Sequence, residues 1–424
     1  MPFNKTQSVA VIGAGIVGIC TAIELQNAGF KVTLIDKGDP ARQTSYGNAS
    51  YIATEYLGPL ATPDNILSAI KLTFSDKSAF KITADHFFSF IPWAMRFLNA
   101  ARKPNRERSR NATVRLNNHA LQAWKDILEC SGNLDMLLPS GYIKLWENLD
   151  DLADAKKTQI TMQQYGHLCE MFQGDALYEL EPALSSNIKL GLFFPNGHQL
   201  REPYQTALKL FEYFKEQGGS FLQADVLQLK AENGTAQLVT KEGPLDFDKA
   251  VICAGAWSKQ LLNGLGLNVP LAAERGYHLT LPDAHVRPTH ILESVERHVV
   301  STPLDSGLRI TGFGEYSTLN SKPVDKRYRQ LSDHMDAIYK DIDCNNQTKQ
   351  TWLGIRPTLP DSVPVIDLHP QYPQIGMAFG HHHLGVTQAP ISAKLIAGLM
   401  QDGFKSEVLK EFADIFDAYS VSRF

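Results

Sequence analysis

The chain of 424 residues has few cysteines, and its positive and negative charges are not segregated. It has only five cysteines, which are scattered: Cys20, Cys130, Cys169, Cys253 and Cys344. None forms a Cys-x-x-Cys or Cys-x-His spacing, which argues against an iron–sulfur cluster and favours a reduced protein with incidental thiols. The formal net charge is only -4 and no long run carries one sign, so nothing indicates a nucleic acid partner.

Long hydrophobic runs are also missing. No apolar run reaches the roughly 20 residues that a membrane-spanning helix needs, and no cleavage site follows the apolar N-terminal region, so we expect a cytoplasmic protein. One stretch, "HFFSFIPWAMRFLNAARK" from His86 to Lys103, is rich in aromatics and basic at its end. A helix lining the core or a groove is the favoured interpretation. Contact with the inner face of a membrane is the alternative.

A glycine motif near the N-terminus indicates a nucleotide site. Gly13, Gly15 and Gly18 form G-x-G-x-x-G between a predicted strand and a predicted helix, and Asp36 ends the next predicted strand. The first glycine permits a tight turn, the second admits a pyrophosphate, and the third lets helix and strand pack closely. Because an acid at Asp36 suits an unphosphorylated ribose, the pattern predicts NAD or FAD and not NADP.

Strand–helix units occur at both ends of the chain and in its middle, which predicts an α/β fold with a discontinuous Rossmann-like domain. We place this domain in residues 1–50, 195–275 and 345–424. A second α+β domain, with a mixed and largely antiparallel sheet, is expected from residues 51–194 and 276–344.

Eight strings together identify a family. In chain order they are "VIGAGIVGICTAIELQNAGFKVTLID", "TSYGNASYIAT", "ELEPAL", "DKAVICAGAWS", "ERGYHLTL", "GLRITGFGEYS", "GIRPTLPDSVPVI" and "GHHHLGVTQAP". In these strings the chain resembles the FAD-dependent amino-acid oxidoreductases that include D-amino acid oxidase and glycine oxidase. It is most similar to the bacterial D-amino acid and D-hydroxyproline dehydrogenases. The resemblance implies a FAD domain of the D-amino acid oxidase/glutathione reductase type. FAD is expected to be non-covalent, because the Pro-rich loop has arginine where monomeric sarcosine oxidases have the tethering cysteine.

The resemblance also implies cofactor contacts. Beyond the glycine motif and Asp36 they are Ile16, Val17, Lys37, Thr44, Ser45, Asn48, Ala49, Val226, Ala254, Gly255 and Trp257. The family usually has glycine where Ser50 stands, so we expect a local departure there.

Three consecutive histidines follow the last predicted strand. Neighbours in an extended segment point to opposite sides, and no acid or cysteine nearby completes a zinc site, so we predict no metal. The resemblance instead implies that the following helix points its N-terminus at the flavin pyrimidine edge. The expected contacts are Gly380, His381, His382, His383, Leu384, Gly385, Val386 and Thr387.

Arg356 in "GIRPTLPD" is the main substrate candidate, because a guanidinium grips a carboxylate with two parallel hydrogen bonds and the resemblance places a carboxylate-binding arginine here. Tyr277 is a candidate second carboxylate or lid contact, with a core tyrosine as the alternative. Its neighbours Arg275 and His278 are lesser candidates. Tyr51 and His383 are expected in the pocket wall.

The resemblance implies FAD-dependent oxidation of an amino or cyclic imino acid, such as a D-proline or D-hydroxyproline type, by hydride transfer from the α-carbon to flavin N5. Positioning does most of the work, so no dedicated base is needed. Electrons are expected to pass to a quinone or other acceptor, with peripheral membrane contact as one arrangement. The alternatives are an oxidase using dioxygen, an NAD-dependent dehydrogenase, and a non-catalytic flavin subunit of a larger oxidoreductase.

Overall fold

The computed structural model describes residues 6–63, 65–67, 80–83, 87–232 and 234–424; His86, which opens the aromatic stretch, lies outside them. Its strands are β1 (Ser8–Ile12), β2 (Lys31–Asp36), β3 (Tyr51–Ile52), β4 (Phe80–Ile82), β5 (Leu137–Leu138), β6 (Tyr142–Trp146), β7 (Glu170–Gln173), β8 (Leu190–Phe194), β9 (His198–Leu200), β10 (Ser220–Gln223), β11 (Val226–Glu232), β12 (Thr235–Thr240), β13 (Gly243–Phe247), β14 (Lys249–Ile252), β15 (Ala272–Leu281), β16 (Ile291–Ser294), β17 (Val299–Leu304), β18 (Gly307–Tyr316), β19 (Gln350–Thr358), β20 (Val365–Leu368) and β21 (Ile375–Phe379). Its α-helices are α1 (Ile16–Asn27), α2 (Phe87–Ala100), α3 (Lys103–Cys130), α4 (Leu152–Gln164), α5 (Asp175–Leu180), α6 (Pro203–Glu216), α7 (Ser258–Asn263), α8 (Asp325–Ile338), α9 (Gly385–Asp402) and α10 (Glu407–Lys410).

A six-stranded sheet in the order β10-β2-β1-β14-β21-β20 forms the centre of the first domain. Every neighbouring pair is parallel except β20 and β21. The central strands are almost continuously buried because both faces are covered. Residues of α1, α3, α6 and α9 pack in the core on one face, and those of the small antiparallel sheet β11-β12-β13 pack on the other. The predicted Rossmann-like fold is confirmed.

The second domain is built on a large sheet in the order β19-β15-β18-β17-β16-β6-β8-β7, with β4 paired to β18. Most pairs are antiparallel, but β16 with β6 and β4 with β18 are parallel. The predicted mixed, largely antiparallel sheet is therefore confirmed. Helix α8 packs against β15 and β18, and α4 packs against β8.

The division of the chain differs from the predicted one most clearly at β19 and α3. Strand β19 lies in the range assigned to the cofactor domain, yet it pairs along its length with β15 in the large sheet. Helix α3 lies in the range assigned to the second domain, yet Leu116, Trp124 and Leu128 join the core beneath α1 and α9. Trp124 Nε1 also donates to Val386 O at 2.9 Å. Long-range strand pairing decides the placement of β19, and an apolar helix face decides that of α3.

Within the part of the chain that the structure describes, no helix has the length and apolar content needed to cross a membrane.

Candidate active site

A cavity of about 1060 Å³ lies between the two domains. The loops that follow β1, β2, β14 and β21 line one side, at the carboxyl ends of these parallel strands, where ligands of α/β sheets bind. Residues of β15, β18 and β19 line the other side. The cavity therefore joins a nucleotide-binding sheet edge to the large sheet.

The glycine turn after β1 has the tight geometry that the motif predicts. Gly13 has φ of +109°, and a Cβ there would lie 2.5 Å from Cys253 O. A Cβ on Gly18 would overlap Gly13 O, so α1 can approach β1 only with glycine at this position. Gly15 is the N-cap of α1 and lines the cavity. Ile16 N at the start of α1 donates to Ser45 Oγ at 3.0 Å, but the turn has no large side chain to keep a pyrophosphate from its backbone, so it fits a dinucleotide.

Asp36 lies at the end of β2 and also lines the cavity. Its Oδ2 accepts from Ala14 N at 2.7 Å and its Oδ1 accepts from Gly38 N at 3.0 Å. Each oxygen keeps a lone pair for a ribose hydroxyl. The cavity is lined at this end by Ile16, Val17, Lys37, Val226, Ala254, Gly255 and Trp257, all of which were predicted as cofactor contacts.

Ser50 stands where the resemblance implies a glycine, and its backbone keeps a conformation that is typical of glycine. Ser50 has φ of +66°, in the left-handed region that favours glycine. Its Oγ donates to Leu200 O at 2.5 Å, and its backbone N donates to Asn48 Oδ1 at 2.7 Å. These hydrogen bonds hold a serine in a glycine conformation. The cavity is lined by the predicted loop contacts Thr44, Ser45, Asn48 and Ala49.

The same loop is joined to the large sheet. Four of the hydrogen bonds that make the connection are Thr44 Oγ1 to Ile355 O, His278 Nδ1 to Gly47 O, Arg309 Nη1 to Asn48 O, and Thr302 Oγ1 to Ala49 O. Their lengths lie between 2.7 and 3.1 Å. We call the loop of residues 44–49 the stitched loop.

The turn after β21 begins with Gly380 at φ +85° and continues through the three histidines to α9. His381 Nε2 lies 2.9 Å from Ser392 Oγ, and burial lowers the pKa of His381 to about 3, so its ring is neutral. The His383 ring meets the Tyr56 ring edge-on at 4.6 Å. The rings thus point to different partners, and the described residues contain no cluster able to hold a metal.

Most of the predicted contacts in this turn border the cavity. They are Gly380, His381, His382, His383, Gly385 and Val386. Three predicted cofactor residues stand behind the lining and not in it: Gly18, Leu384 and Thr387. Thr387 Oγ1 accepts from Ala53 N at 3.0 Å, so its side chain supports the turn.

Arg356 reaches the cavity from β19 with part of its guanidinium engaged. Its Nη1 donates to Glu274 Oε1 at 2.7 Å and to Phe313 O at 2.8 Å. Among the described residues, Nε and Nη2 have no hydrogen-bond partner, which leaves one two-nitrogen edge available to a carboxylate. The guanidinium lies over Gly276, where a Cβ would come within 2.5 Å of Nη2. Gly276 was not anticipated from the sequence.

Glu274 was also not anticipated, although it connects the site. It is 4% exposed and accepts from His382 Nε2 and Thr358 Oγ1 at 2.8 Å and from Tyr316 OH at 3.2 Å, in addition to Arg356. Burial alone would raise the pKa of the Glu274 carboxyl, but His382 and Arg356 together hold it well below its usual range. The carboxylate is ionised.

Tyr277 is placed differently from Arg356. Its ring packs in the core of the large sheet, and its hydroxyl accepts from Arg275 Nη2 at 2.9 Å and donates to Glu315 Oε1 at 3.2 Å. Arg275 and Glu315 form a buried ion pair. Although Tyr277 borders the cavity, its hydroxyl is engaged by this pair and not by Arg356.

His278 stacks on Trp352, with ring centres 5.2 Å apart, and burial lowers the pKa of His278 to about 3. Trp352 borders the cavity, and its indole covers Gly47 and Gly354, at which any Cβ would overlap the ring. Sequence reasoning missed this tryptophan, whose only signal was its position four residues before Arg356. His278 and Trp352 therefore form part of the bed under the stitched loop.

Tyr51 lies in the wall as expected. Its hydroxyl donates to Glu55, and its ring stacks on Tyr142 at 4.7 Å. Burial, with Glu55 as a further cause, raises the pKa of Tyr51 well above its ordinary value. The hydroxyl therefore remains protonated.

Helix α2 forms an apolar end of the cavity. Phe90, Trp93 and Phe97 border it, and Trp93 Nε1 donates to Thr358 O at 3.2 Å. The opposite face of α2 is exposed; Met95 is 67% exposed. The favoured interpretation of this stretch, a groove-lining helix, agrees with the placement of its inner face.

Comparison with known proteins points to one family. A family model described as FAD dependent oxidoreductase matches residues 8–399. The chain is similar to the D-amino-acid oxidase of Bradyrhizobium diazoefficiens, with 27% identity over 92% of this chain and 94% of that protein. It is also similar to the D-amino acid dehydrogenase of Chromohalobacter salexigens, with 26% identity over 92% and 95%. The L-proline dehydrogenase structure from P. horikoshii has the same fold, with a TM-score of 0.74, 19% identity, and coverage of 99% and 98%.

Proposed function

Because the chain belongs to the family of FAD-dependent oxidoreductases that act on amino acids, with FAD as cofactor, we propose that it is a D-amino acid dehydrogenase in which Arg356 binds the substrate carboxylate. Bound FAD supplies a two-electron acceptor for the substrate hydride. A D-proline or D-hydroxyproline type of substrate is proposed from the sequence resemblance. Because the family uses FAD, an NAD-dependent dehydrogenase is no longer a candidate.

The observation that carries the proposal is the edge of Arg356 that no described residue engages. The Nε and Nη2 atoms form a planar fork that can make two parallel hydrogen bonds to a carboxylate, which fixes the α-carbon relative to the cavity. Glu274 balances the guanidinium charge, so the pair is neutral before substrate binds. Trp93 and Phe90 give the neighbouring part of the cavity an apolar lining.

The test is Arg356→Ala in the FAD-loaded protein. We expect FAD to stay bound and kcat/KM to fall about 1000-fold, which corresponds to about 4 kcal/mol of lost transition-state stabilisation. Anaerobic bleaching of the flavin by a panel of amino-acid enantiomers measures this effect. Arg201→Ala, which removes a partly exposed arginine paired with Asp305, is the matched control. Near-normal turnover in Arg356→Ala would overturn the assignment, and preferential bleaching by L enantiomers would overturn the D specificity.

An oxidase is the second candidate, because one of the similar proteins is named a D-amino-acid oxidase. Peroxide release measured beside dye reduction separates the two. Stoichiometric peroxide would replace the dehydrogenase proposal. A flavin that no amino acid bleaches, even with redox partners present, would favour a non-catalytic flavin subunit.

We also propose that FAD is held without a covalent bond. Cys253 borders the cavity, and burial raises its pKa to about 12, so the thiol stays protonated and unreactive. Acid precipitation should release all the yellow colour into the supernatant. Colour retained in the pellet would contradict this proposal.

A quinone or another redox acceptor is proposed to take the electrons, and peripheral contact with a membrane remains part of that proposal. Ile91, Met95 and Leu98 of α2 are exposed, and this exposed apolar surface supports contact with a membrane. Sedimentation with anionic phosphatidylglycerol vesicles tests the contact, with Met95→Glu as the weakened variant. Equal sedimentation of both proteins would remove this support.

A further inference from the structure

The buried carboxylate of Glu274 lies directly behind the arginine that the proposed function uses. We propose that Glu274 is a positioning residue, which aims the free edge of Arg356 at the substrate carboxylate and ties that arginine to the histidine turn before α9. This inference rests on the proposed function of Arg356. Glu274 was not among the candidate site residues found in the sequence.

The hydrogen bonds of Glu274 argue that it does not bind substrate itself. A carboxylate offers about four lone-pair sites. Four protein donors engage it: His382, Thr358 and Tyr316 contact Oε2, and Arg356 contacts Oε1. Oε2 is fully engaged and Oε1 already binds the Arg356 guanidinium, so Glu274 acts mainly through the groups that it holds.

The guanidinium of Arg356 is fixed from three directions. Glu274 Oε1 and Phe313 O both accept from Nη1, which defines one corner of the plane. Gly276 lies beneath the plane and has no side chain to displace it. An arginine held in this way keeps its Nε and Nη2 edge oriented before substrate arrives, and preorganisation of that kind favours tight carboxylate binding.

His382 links the same carboxylate to the turn after β21. It has φ of +55°, a strained conformation for a residue with a side chain. Since Glu274 is ionised, Nε2 must carry the proton that it shares with Oε2. Its Nδ1 is buried and has no partner among the described residues. The hydrogen bond to Glu274 therefore holds the His382 ring. Through it, the Glu274 carboxylate links Arg356 in the large sheet to the histidine turn of the cofactor domain.

The experiment measures the affinity of the FAD-loaded protein for benzoate, read from the perturbation of the flavin absorbance, with benzamide as the uncharged analogue. In Glu274→Gln we expect the Kd of benzoate to rise at least about tenfold, while that of benzamide changes less than about twofold. A residue that only stabilises the fold would weaken both ligands equally. Equal weakening, or no change for benzoate, would overturn the proposal.

A double-mutant cycle with Arg356→Ala provides the second arm. If Glu274 acts through Arg356, adding Glu274→Gln to Arg356→Ala should leave the Kd of benzoate unchanged. Independent, additive losses would overturn the proposal. If Arg356→Ala alone leaves benzoate binding intact, the proposed function fails. If it weakens benzoate and Glu274→Gln does not, only the positioning role fails.

Glu181→Gln is the matched control. Glu181 is also buried and accepts from several donors, including His290 and Thr289, but it lies outside the cavity lining. It should lower the melting temperature without changing either Kd. If Glu274→Gln fails to retain FAD, Glu274→Asp carries the same comparison: the shorter carboxylate keeps the charge but withdraws it from Arg356, and benzoate should again weaken selectively.

Discussion

The two turns that border the cofactor side of the cavity have the same architecture but different chemistry. Each follows a central strand of the six-stranded sheet, begins with a glycine of positive φ, and leads into a helix that starts at the cavity. The first, Gly13–Gly15, contains no ionisable side chain. The second, Gly380–Leu384, contains three histidines, of which one contacts Glu274.

This difference shows what each turn does. The bare turn offers only backbone, which is what close approach of a pyrophosphate requires. The histidine turn uses side chains to attach the start of α9 to its surroundings: His381 to α9 itself and His382 to the large sheet. We therefore propose that the first turn serves the cofactor alone, and that the second also connects the cofactor domain to the proposed substrate side.

The largest expected effect comes from adding the same methyl group to each turn. A Cβ on Gly13 would meet Cys253 and Ala254 backbone atoms, whereas one on Gly380 would meet the flexible Leu359 side chain. Gly13→Ala should therefore lose most bound FAD, more than about tenfold in occupancy, and Gly380→Ala should keep most of it. The absorbance ratio of flavin to protein measures both.

Gly29→Ala is the control for backbone strain. Gly29 also has positive φ, at +88°, but a Cβ there meets nothing. We expect a modest decrease in melting temperature and full FAD content. Similar FAD loss in all three variants would contradict the distinction between crowded and open glycines.

A smaller effect is expected for His382→Gly. Glycine relieves the strain at φ +55°, which offsets part of the lost hydrogen bond to Glu274, so the melting temperature should change by only a few degrees. Arg356 retains its own bond to Glu274, and the Kd of benzoate should rise about threefold or less. A rise as large as that in Glu274→Gln would mean that His382 contributes to binding directly.

The smallest effect concerns the pH dependence of the free energy of unfolding. Of the two turns, only the histidine turn contributes to it, because the first turn has no ionisable side chain. The folded-state pKa of His381 is about 3, below the ordinary value of about 6.5, so the unfolded chain binds the extra proton between these values. The free energy of unfolding should therefore fall as pH drops from about 6.5 towards 3, by up to about 1.4 kcal/mol per pH unit from this group. His381→Gln should make the slope shallower by that amount, as measured by denaturant unfolding between about pH 6 and 4.

Much of the cofactor side could be predicted because its signals are local. The strand, glycine turn, helix and acid at Asp36 lie within one short unit of sequence, and their order alone predicts their geometry. Glu274 could not be found in this way. Its partners Arg356 and His382 are 82 and 108 residues away, and only the antiparallel pairing of β15 with β19 brings the first of them alongside.

The placements of Tyr277 and β19 have the same origin. Tyr277 is one residue from Gly276 in the chain, but neighbours on a strand face opposite sides, and its side chain joins the core instead of the guanidinium. Strand β19 was assigned to the cofactor domain, but its pairing with β15 places it in the large sheet. The order of elements along the chain did not reveal this pairing. Contacts of long sequence separation decided what short patterns left open.

The stitched loop has a consequence for how the holoenzyme comes into existence. Hydrogen bonds join this loop, on the proposed flavin side of the cavity, to four strands of the large sheet, so inserting FAD into the folded protein would require some of these bonds to break. We expect FAD to be captured while the chain is still assembling. Stripped of FAD, the finished protein should therefore reload slowly.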